Sequence, residues 1–93
     1  MSPAKPYLNV SLTTPDGILF QGKASSVILP GEQGIFEVLP HHKPFLSRLR
    51  QGEIVIGDRV IPIRRGIVKI VLDSVQAIVE ITQPKSGTGG RRP

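Results

Sequence analysis

The chain has 93 residues, which suits one domain that buries about 60 to 65% of its unfolded surface. It has no cysteine, which excludes disulfides, thiolate metal sites and sulfur redox chemistry. No apolar run approaches the ~20 residues of a membrane helix and the polar first six residues lack a signal-peptide core, so we expect a soluble intracellular protein. The net charge of +5 suggests a polyanionic partner, but residues 1–83 carry nine basic and seven acidic side chains, a net of only +2.

Isoleucine and valine together supply 20 residues, against three alanines, and β-branched side chains favour strands over helices. Runs of alternating apolar and polar residues are separated by turn sequences along the whole chain. The turns are predicted at Pro15-Asp16-Gly17, residues 30–34, residues 40–44, Gln51-Gly52, Gly57-Asp58, Arg65-Gly66 and Asp73-Ser74. No interval between them suits a long helix, so the sequence predicts an all-β domain.

The clearest hairpin signal is the Gly-Asp pair at 57–58, because glycine accepts a positive φ without steric cost. The Asp-Ser pair at 73–74 predicts a second hairpin. Some runs are apolar on both faces, as at residues 54–56 and 67–68, so part of the sheet should be covered by a second sheet. We therefore predict a two-layer antiparallel β-sandwich, or flattened barrel.

Two local features modify this prediction. Pro62 lacks the N–H that a strand ladder needs, so its strand should be a sheet edge or carry a bulge there. Residues 44–50 place Phe45, Leu46 and Leu49 at helical spacing, and we predict one helical turn there.

The last ten residues, 84–93, contain three glycines, two prolines and three basic side chains. Such a composition cannot bury a core and predicts a disordered tail. The predicted organisation is a sandwich over residues 1–83 followed by a flexible tail over 84–93.

Residues suited to catalysis are sparse. His41 and His42 could bind a metal or move a proton, but no other His or Cys exists and Glu37 is the only carboxylate near them in sequence. The serines lack a paired base and the carboxylates lack general acid–base spacing. Gly31 and Gly34 are not followed by the Gly-Lys-Ser/Thr of a phosphate-binding loop, so we expect a structural loop. We predict no catalytic residue, no metal and no cofactor.

Four arginines, Arg48, Arg50, Arg64 and Arg65, could contact phosphate. Binders of single strands add aromatic stacking platforms, whereas the four aromatic residues here are better explained as core or interface. We expect no nucleic acid partner. A free-standing β-barrel that binds nucleic acid or another acidic partner remains the alternative function.

The order of residues after position 30 is more informative than composition. Pro30-Gly31, Gly34 and the run Val-Leu-Pro-His-His-Lys-Pro-Phe-Leu at 38–46 resemble the glycine-to-Leu-Pro-x-His-x-Pro stretch of the ATP synthase epsilon subunit. The resemblance extends upstream and downstream, over roughly residues 5–82. Further similar segments are 7–10, 15–17, 20–22, 24–27, 49–54, 66–68 and 75–80.

This resemblance implies the family's N-terminal β-sandwich and a noncatalytic central-stalk subunit of a proton-translocating F-type ATP synthase. In that family the sandwich packs against the gamma subunit and rests on the c-ring, and it couples proton-driven rotation to ATP synthesis. The residues that it implies for the rotor interface are Gly31, Glu32, Gly34, Glu37 and His42. It also implies a place at the cytoplasmic face of the inner membrane, with membrane association only through the complex.

The chain departs from the family pattern in three places. Arg65-Gly66 stands where many members have Gly-Gly. The segment at 36–38 lengthens the interval before the Leu-Pro-x-His motif, which leaves the alignment of Glu32 with the family's c-ring-facing acidic residue open by two or three positions. The helical hairpin of longer relatives has no counterpart in residues 84–93, so we expect neither inhibition by helix insertion nor nucleotide binding.

Overall fold

The computed structural model describes residues 7–82, which form eight strands and no helix. The strands are β1 (Leu8–Thr14), β2 (Gly17–Ala24), β3 (Val27–Gly31), β4 (Gly34–Val38), β5 (Phe45–Leu49), β6 (Gly52–Ile56), β7 (Arg59–Val71) and β8 (Ser74–Ile81). The predicted all-β sandwich is confirmed.

The strands pair in the order β2-β1-β8-β7-β5-β3-β4, and β6 pairs with both β3 and β7. The long strand β7 pairs with β6 through its first half and with β5 through its second half. Strands β5 and β6 keep one register along β7, and both pair with β3 on their other edge, so they act as one interrupted strand between β3 and β7. Antiparallel pairing holds for seven of the eight described strand pairs, and the exception is the parallel pair β1–β8.

The core is built from residues that alternate along the strands. On β8, Val75, Ala77 and Val79 are buried, whereas the residues between them are exposed. Each Val, Leu or Ile side chain taken fully out of water contributes about 1.5–3 kcal/mol. Among residues 7–82, sixteen apolar side chains are buried and no polar one is, so apolar packing holds the fold together.

The predicted helical turn at residues 44–50 is wrong. The structure has strand β5 there, which pairs with β7 from Phe45 opposite Ile70 to Leu49 opposite Gly66. The spacing of three apolar residues fits a helix, but backbone pairing with a distant strand determines the conformation of a segment this short.

Two hairpins test the predicted turns. The Gly57-Asp58 turn is confirmed, with Gly57 at a φ of 62°. The next turn lies one residue earlier than predicted, because Val71 pairs with Ser74 and leaves Leu72-Asp73 as the turn. Both of these residues have positive φ, 51° and 63°, which is the type I′ geometry that matches the twist of the strands.

Pro62 lies near the end of one pairing and beside an irregularity in another. Strand β8 ends opposite Ile63, and the register between β7 and β8 shifts between Ile63 and Arg65. The Thr82 N–H donates to the Pro62 carbonyl oxygen at 3.4 Å. Because β8 ends at Ile81, opposite Ile63, no β8 residue lies opposite Pro62 to require an N–H from it. The bulge follows Pro62 by two residues.

No segment of residues 7–82 forms a helix of the kind that could cross a bilayer. The predicted tail at 84–93 lies outside the described residues. The predicted boundary after residue 83 lies outside them as well and remains a prediction.

Candidate functional site

The outer face of the sheet carries an apolar row that the fold itself does not use. Register places Arg48, Ile67, Ile78, Thr13 and Ile18 side by side across β5, β7, β8, β1 and β2. The side chains of Ile67, Ile78 and Ile18, which we name the isoleucine row, are 53%, 64% and 64% exposed. Exposed apolar residues that are contiguous rather than scattered indicate an interaction surface.

The apolar surface continues from the isoleucine row toward strand β4. Leu46 is 70% exposed and lies opposite Lys69, two residues along β5 from Arg48. Ile35 on β4 is 78% exposed. Leu46, Ile35, Ile67 and Phe45 line one groove of about 650 Å³, so the exposed apolar surface extends from β2 to β4.

Gly31, Glu32 and Gly34 belong to a β-hairpin, and the expected structural loop is its tight turn. Gly31 pairs with Gly34, so the turn between β3 and β4 has two residues, Glu32 and Gln33. The Glu32 N–H donates to the Arg48 carbonyl oxygen at 3.1 Å and holds the turn against β5. A Cβ at residue 31 would lie 2.7 Å from the ring of Phe36, so glycine is needed there for the two strands to pack.

Glu37 lies on the same hairpin but away from its turn. It pairs with Ile28, three positions along β4 from Gly34, which corresponds to about 10 Å of strand. The structure therefore divides the predicted interface residues into two places. Gly31, Glu32 and Gly34 line the groove beside Arg48, whereas Glu37 lies near the connection from β4 to β5, which contains His42.

His41 joins the β4–β5 connection to the β7–β8 turn. The His42 N–H donates to the Leu39 carbonyl oxygen at 3.2 Å and His41 has a φ of 71°, as in a type II turn with Pro40 at its second position. The His41 N–H donates to Asp73 Oδ1 at 2.6 Å, and its ring Nδ1 lies 3.9 Å from Asp73 Oδ2. The backbone of His41 thus has a structural role in holding two loops together.

His42 belongs to a small aromatic cluster. Its ring meets Phe45 edge-on with centroids 6.0 Å apart, and Phe45 meets Phe36 edge-on at 5.3 Å. Edge-to-face pairs of this kind add about 0.5–1.5 kcal/mol each to the burial of the rings. Phe36 and Phe45 also line the groove beside Arg48, so His42 is one contact removed from the apolar surface. Within residues 7–82 no three His, Asp or Glu side chains converge on a point where a metal could bind.

Sequence reasoning missed the isoleucine row. It explained the doubly apolar run at 67–68 by a covering sheet, but only Val68 faces the core and Ile67 is exposed. The same signal recurs on β8, where Ile78 stands between buried Ala77 and Val79. Isoleucine at an outward position of an alternating strand was therefore the available signal, and only the strand register shows that three such residues are neighbours.

The sequence profile of the family described as "ATP synthase, Delta/Epsilon chain, beta-sandwich domain" matches residues 7–84. This chain belongs to that family. It is 41% identical over 86 residues to the ATP synthase epsilon chain of a Nitratiruptor species, covering 87% of this chain and 67% of that protein. It is 35% identical over 77 residues to the ATP synthase epsilon chain of Leptospira interrogans serogroup Icterohaemorrhagiae serovar Lai, covering 78% and 61%.

The chain thus spans about two thirds or less of the length of these epsilon chains. Two solved structures contain a chain of similar fold. One is the Euglena gracilis mitochondrial ATP synthase (TM-score 0.73, 16% identity, 84% of this chain and 53% of that chain). The other is the Tetrahymena thermophila mitochondrial ATP synthase, central stalk and c-ring (0.66, 13%, 87% and 75%). At these identities the likeness shows the fold alone. The predicted epsilon-type sandwich is confirmed by the family match over residues 7–84.

Proposed function

We propose that this chain is a noncatalytic rotor subunit of a proton-translocating F-type ATP synthase, and that it links the gamma subunit to the c-ring. The observation that carries the proposal is the isoleucine row. Its three side chains are exposed on a face whose opposite side already packs a complete core. Membership in the delta/epsilon family supports a partner for this surface within the same complex.

The isoleucine row is assigned to the gamma subunit. The row crosses four adjacent strands, β7, β8, β1 and β2, with Thr13 of β1 between Ile78 and Ile18, and it therefore presents a stiff and nearly continuous apolar line. Burial of apolar surface contributes about 25 cal/mol per Å², and stable interfaces have an apolar centre with a polar rim. The exposed residues Lys69 and Gln76, which pair with each other two positions along β7 and β8 from the row, supply such a rim.

The c-ring contact is assigned to the β3–β4 hairpin and the connection that follows it. The residues proposed for this contact are Gly31, Glu32, Gly34, Glu37 and His42. Both carboxylates are exposed, so they are available to cationic or hydrogen-bonding groups of a partner at little desolvation cost. The complex would hold the chain at the cytoplasmic face of the inner membrane, and the chain itself supplies no step of the chemistry.

Binding to purified gamma subunit tests the proposal. Ile67→Thr combined with Ile78→Thr keeps β-branched side chains on both strands but removes apolar surface, and should weaken gamma binding at least about tenfold. Val60→Thr is the matched control, because Val60 is 54% exposed on β7 but lies outside the isoleucine row. If the wild-type chain does not bind gamma, or if the double variant binds as tightly as the control, the assignment is wrong.

A further inference from the structure

Two arginines interrupt the apolar surface between the isoleucine row and strand β4. Arg48 and Arg50 stand on either side of Leu49, which is buried, and neither arginine is buried. Arg48 is the fourth residue of β5 and Arg50 directly follows that strand, and both arginines line one groove.

The backbone beneath these arginines is held on two sides. The Arg48 carbonyl oxygen accepts a hydrogen bond from the Glu32 N–H at 3.1 Å, and the Arg50 N–H donates to the Pro30 carbonyl oxygen at 2.9 Å. On its other edge β5 pairs with β7, where Arg48 lies opposite Ile67. The backbone at both arginines is therefore held in place before a ligand binds, so binding between the two side chains costs little backbone entropy.

Neither arginine forms an ion pair with any carboxylate among residues 7–82. A nearby arginine shows the contrast, because Arg65 Nε lies 3.1 Å from Glu80 Oε1. Glu32 lines the same grooves as Arg48 without pairing with it. Glu80 also lines the groove that both arginines line, but within residues 7–82 neither Arg48 nor Arg50 has a direct carboxylate partner.

Arg48 lies between two apolar grooves. Ile35, Phe45 and Leu46 line the first groove. The second, of about 600 Å³, is lined by Ile78, Gly66 and both arginines. Arg48 and Ile67 line both grooves. An occupant that fills this surface must therefore offer aliphatic groups on both sides of an anion.

We propose that Arg48 and Arg50 form a receptor for a carboxylate of the protein that covers the isoleucine row, an Asp or Glu side chain with aliphatic residues on either side. The inference rests on the proposed function, in which that protein is the gamma subunit. Guanidinium groups match carboxylates through two parallel N–H···O bonds, and this fixes orientation as well as affinity. A phosphate ligand would use the charge but would leave the three isoleucines in water.

The test measures binding of purified gamma subunit to four forms of the full chain. Arg48→Ala with Arg50→Ala should weaken binding about tenfold or more, since truncating one partner of a desolvated charge pair leaves the other unpaired. Arg48→Lys with Arg50→Lys should also weaken it, because lysine keeps the charge but lacks the planar fork. The control Lys23→Ala with Arg59→Ala removes two exposed positive charges outside the proposed contacts and should bind within about twofold of wild type.

The outcomes separate this inference from the proposed function. Suppose that gamma binds the wild-type chain and that the isoleucine variants weaken this binding. If the variant with alanine at 48 and 50 then binds as tightly as the two-charge control, the carboxylate receptor is refuted and the proposed function stands. If gamma does not bind the wild-type chain, both are refuted. A restored affinity when Arg48→Glu is combined with an acid-to-arginine change in gamma supports the receptor.

A competition arm tests the phosphate alternative. ATP or inorganic phosphate, added at constant ionic strength, should displace gamma no better from the wild-type chain than from the alanine pair. Selective displacement from the wild type would show that the arginines bind phosphate and would overturn the carboxylate assignment.

Discussion

Leu72→Asn should stabilise the protein, although it removes a leucine. Leu72 is the first central residue of the β7–β8 turn, with a φ of 51°, and its side chain is 88% exposed. The left-handed conformation costs an ordinary L-residue roughly 1–2 kcal/mol, and asparagine adopts it with much less strain. Asp73, which follows, keeps its contact with His41 in this variant.

The size of the gain follows from how little Leu72 contributes now. Nearly all of its side chain already lies in water, so its removal sacrifices little apolar burial. We expect an increase of about 0.5–1 kcal/mol in the free energy of unfolding. For a domain of this size, 1 kcal/mol corresponds to about 4–8 °C in Tm, so the midpoint should rise by about 2–8 °C.

Thermal and urea unfolding of the purified chain measure this effect. The matched control is Leu39→Asn, because Leu39 is 50% exposed but is not among the residues with positive φ. That variant should gain nothing. An unchanged or lower Tm for Leu72→Asn would refute the strain argument, and an equal gain in the control would show that replacing an exposed leucine, rather than relieving strain, causes the effect.

Three further predictions concern other parts of the fold and the proposed complex. Gly66→Ala should lower the free energy of unfolding by about 1–3 kcal/mol, because its Cβ would lie 2.6 Å from a β8 carbonyl oxygen. Gly22→Ala is the control and should be tolerated in the same urea assay, because the nearest atom to a Cβ there is 3.4 Å away. Glu32→Gln with Glu37→Gln should reduce the coupling of proton transport to ATP turnover in the assembled complex, and unchanged coupling and assembly would contradict the c-ring assignment. Deleting residues 84–93 should leave ATP hydrolysis by the reconstituted complex unchanged, and a severalfold rise would show that this segment inhibits.

Elements with a local cause could be predicted from the sequence. The burial of Val75, Ala77 and Val79 follows from simple alternation, and the Gly57 turn follows from the conformational freedom of glycine. Strand β5 could not be predicted in the same way, because its apolar residues satisfy both helical and extended spacing. Its conformation is determined by pairing with β7, which lies later in the chain beyond β6.

The candidate site could be predicted only in part, because pairing between distant strands brings its residues together. The glycines around Glu32 indicated a tight turn, but no local signal showed that the Glu32 N–H would bind the Arg48 carbonyl oxygen. The isoleucine row draws its members from β2, β7 and β8, and strand register alone makes them neighbours. Interaction surfaces of this kind are properties of the sheet rather than of any one segment of sequence.

The parallel pairing of β1 with β8 has a consequence for the order of folding. These are the first and last strands of the described domain, and a side-chain bond between them, Thr13 Oγ1 to the Ala77 carbonyl oxygen, spans 64 residues. The edge strand β2 pairs with β1 alone in the part of the chain that the structure describes, so the β1–β2 hairpin joins the sheet only through β8. On a ribosome, that hairpin must wait until β8 has emerged, and the closing step must overcome the loss of entropy of a long loop. We expect the β1–β8 contact to form late and to limit the rate at which the sandwich folds.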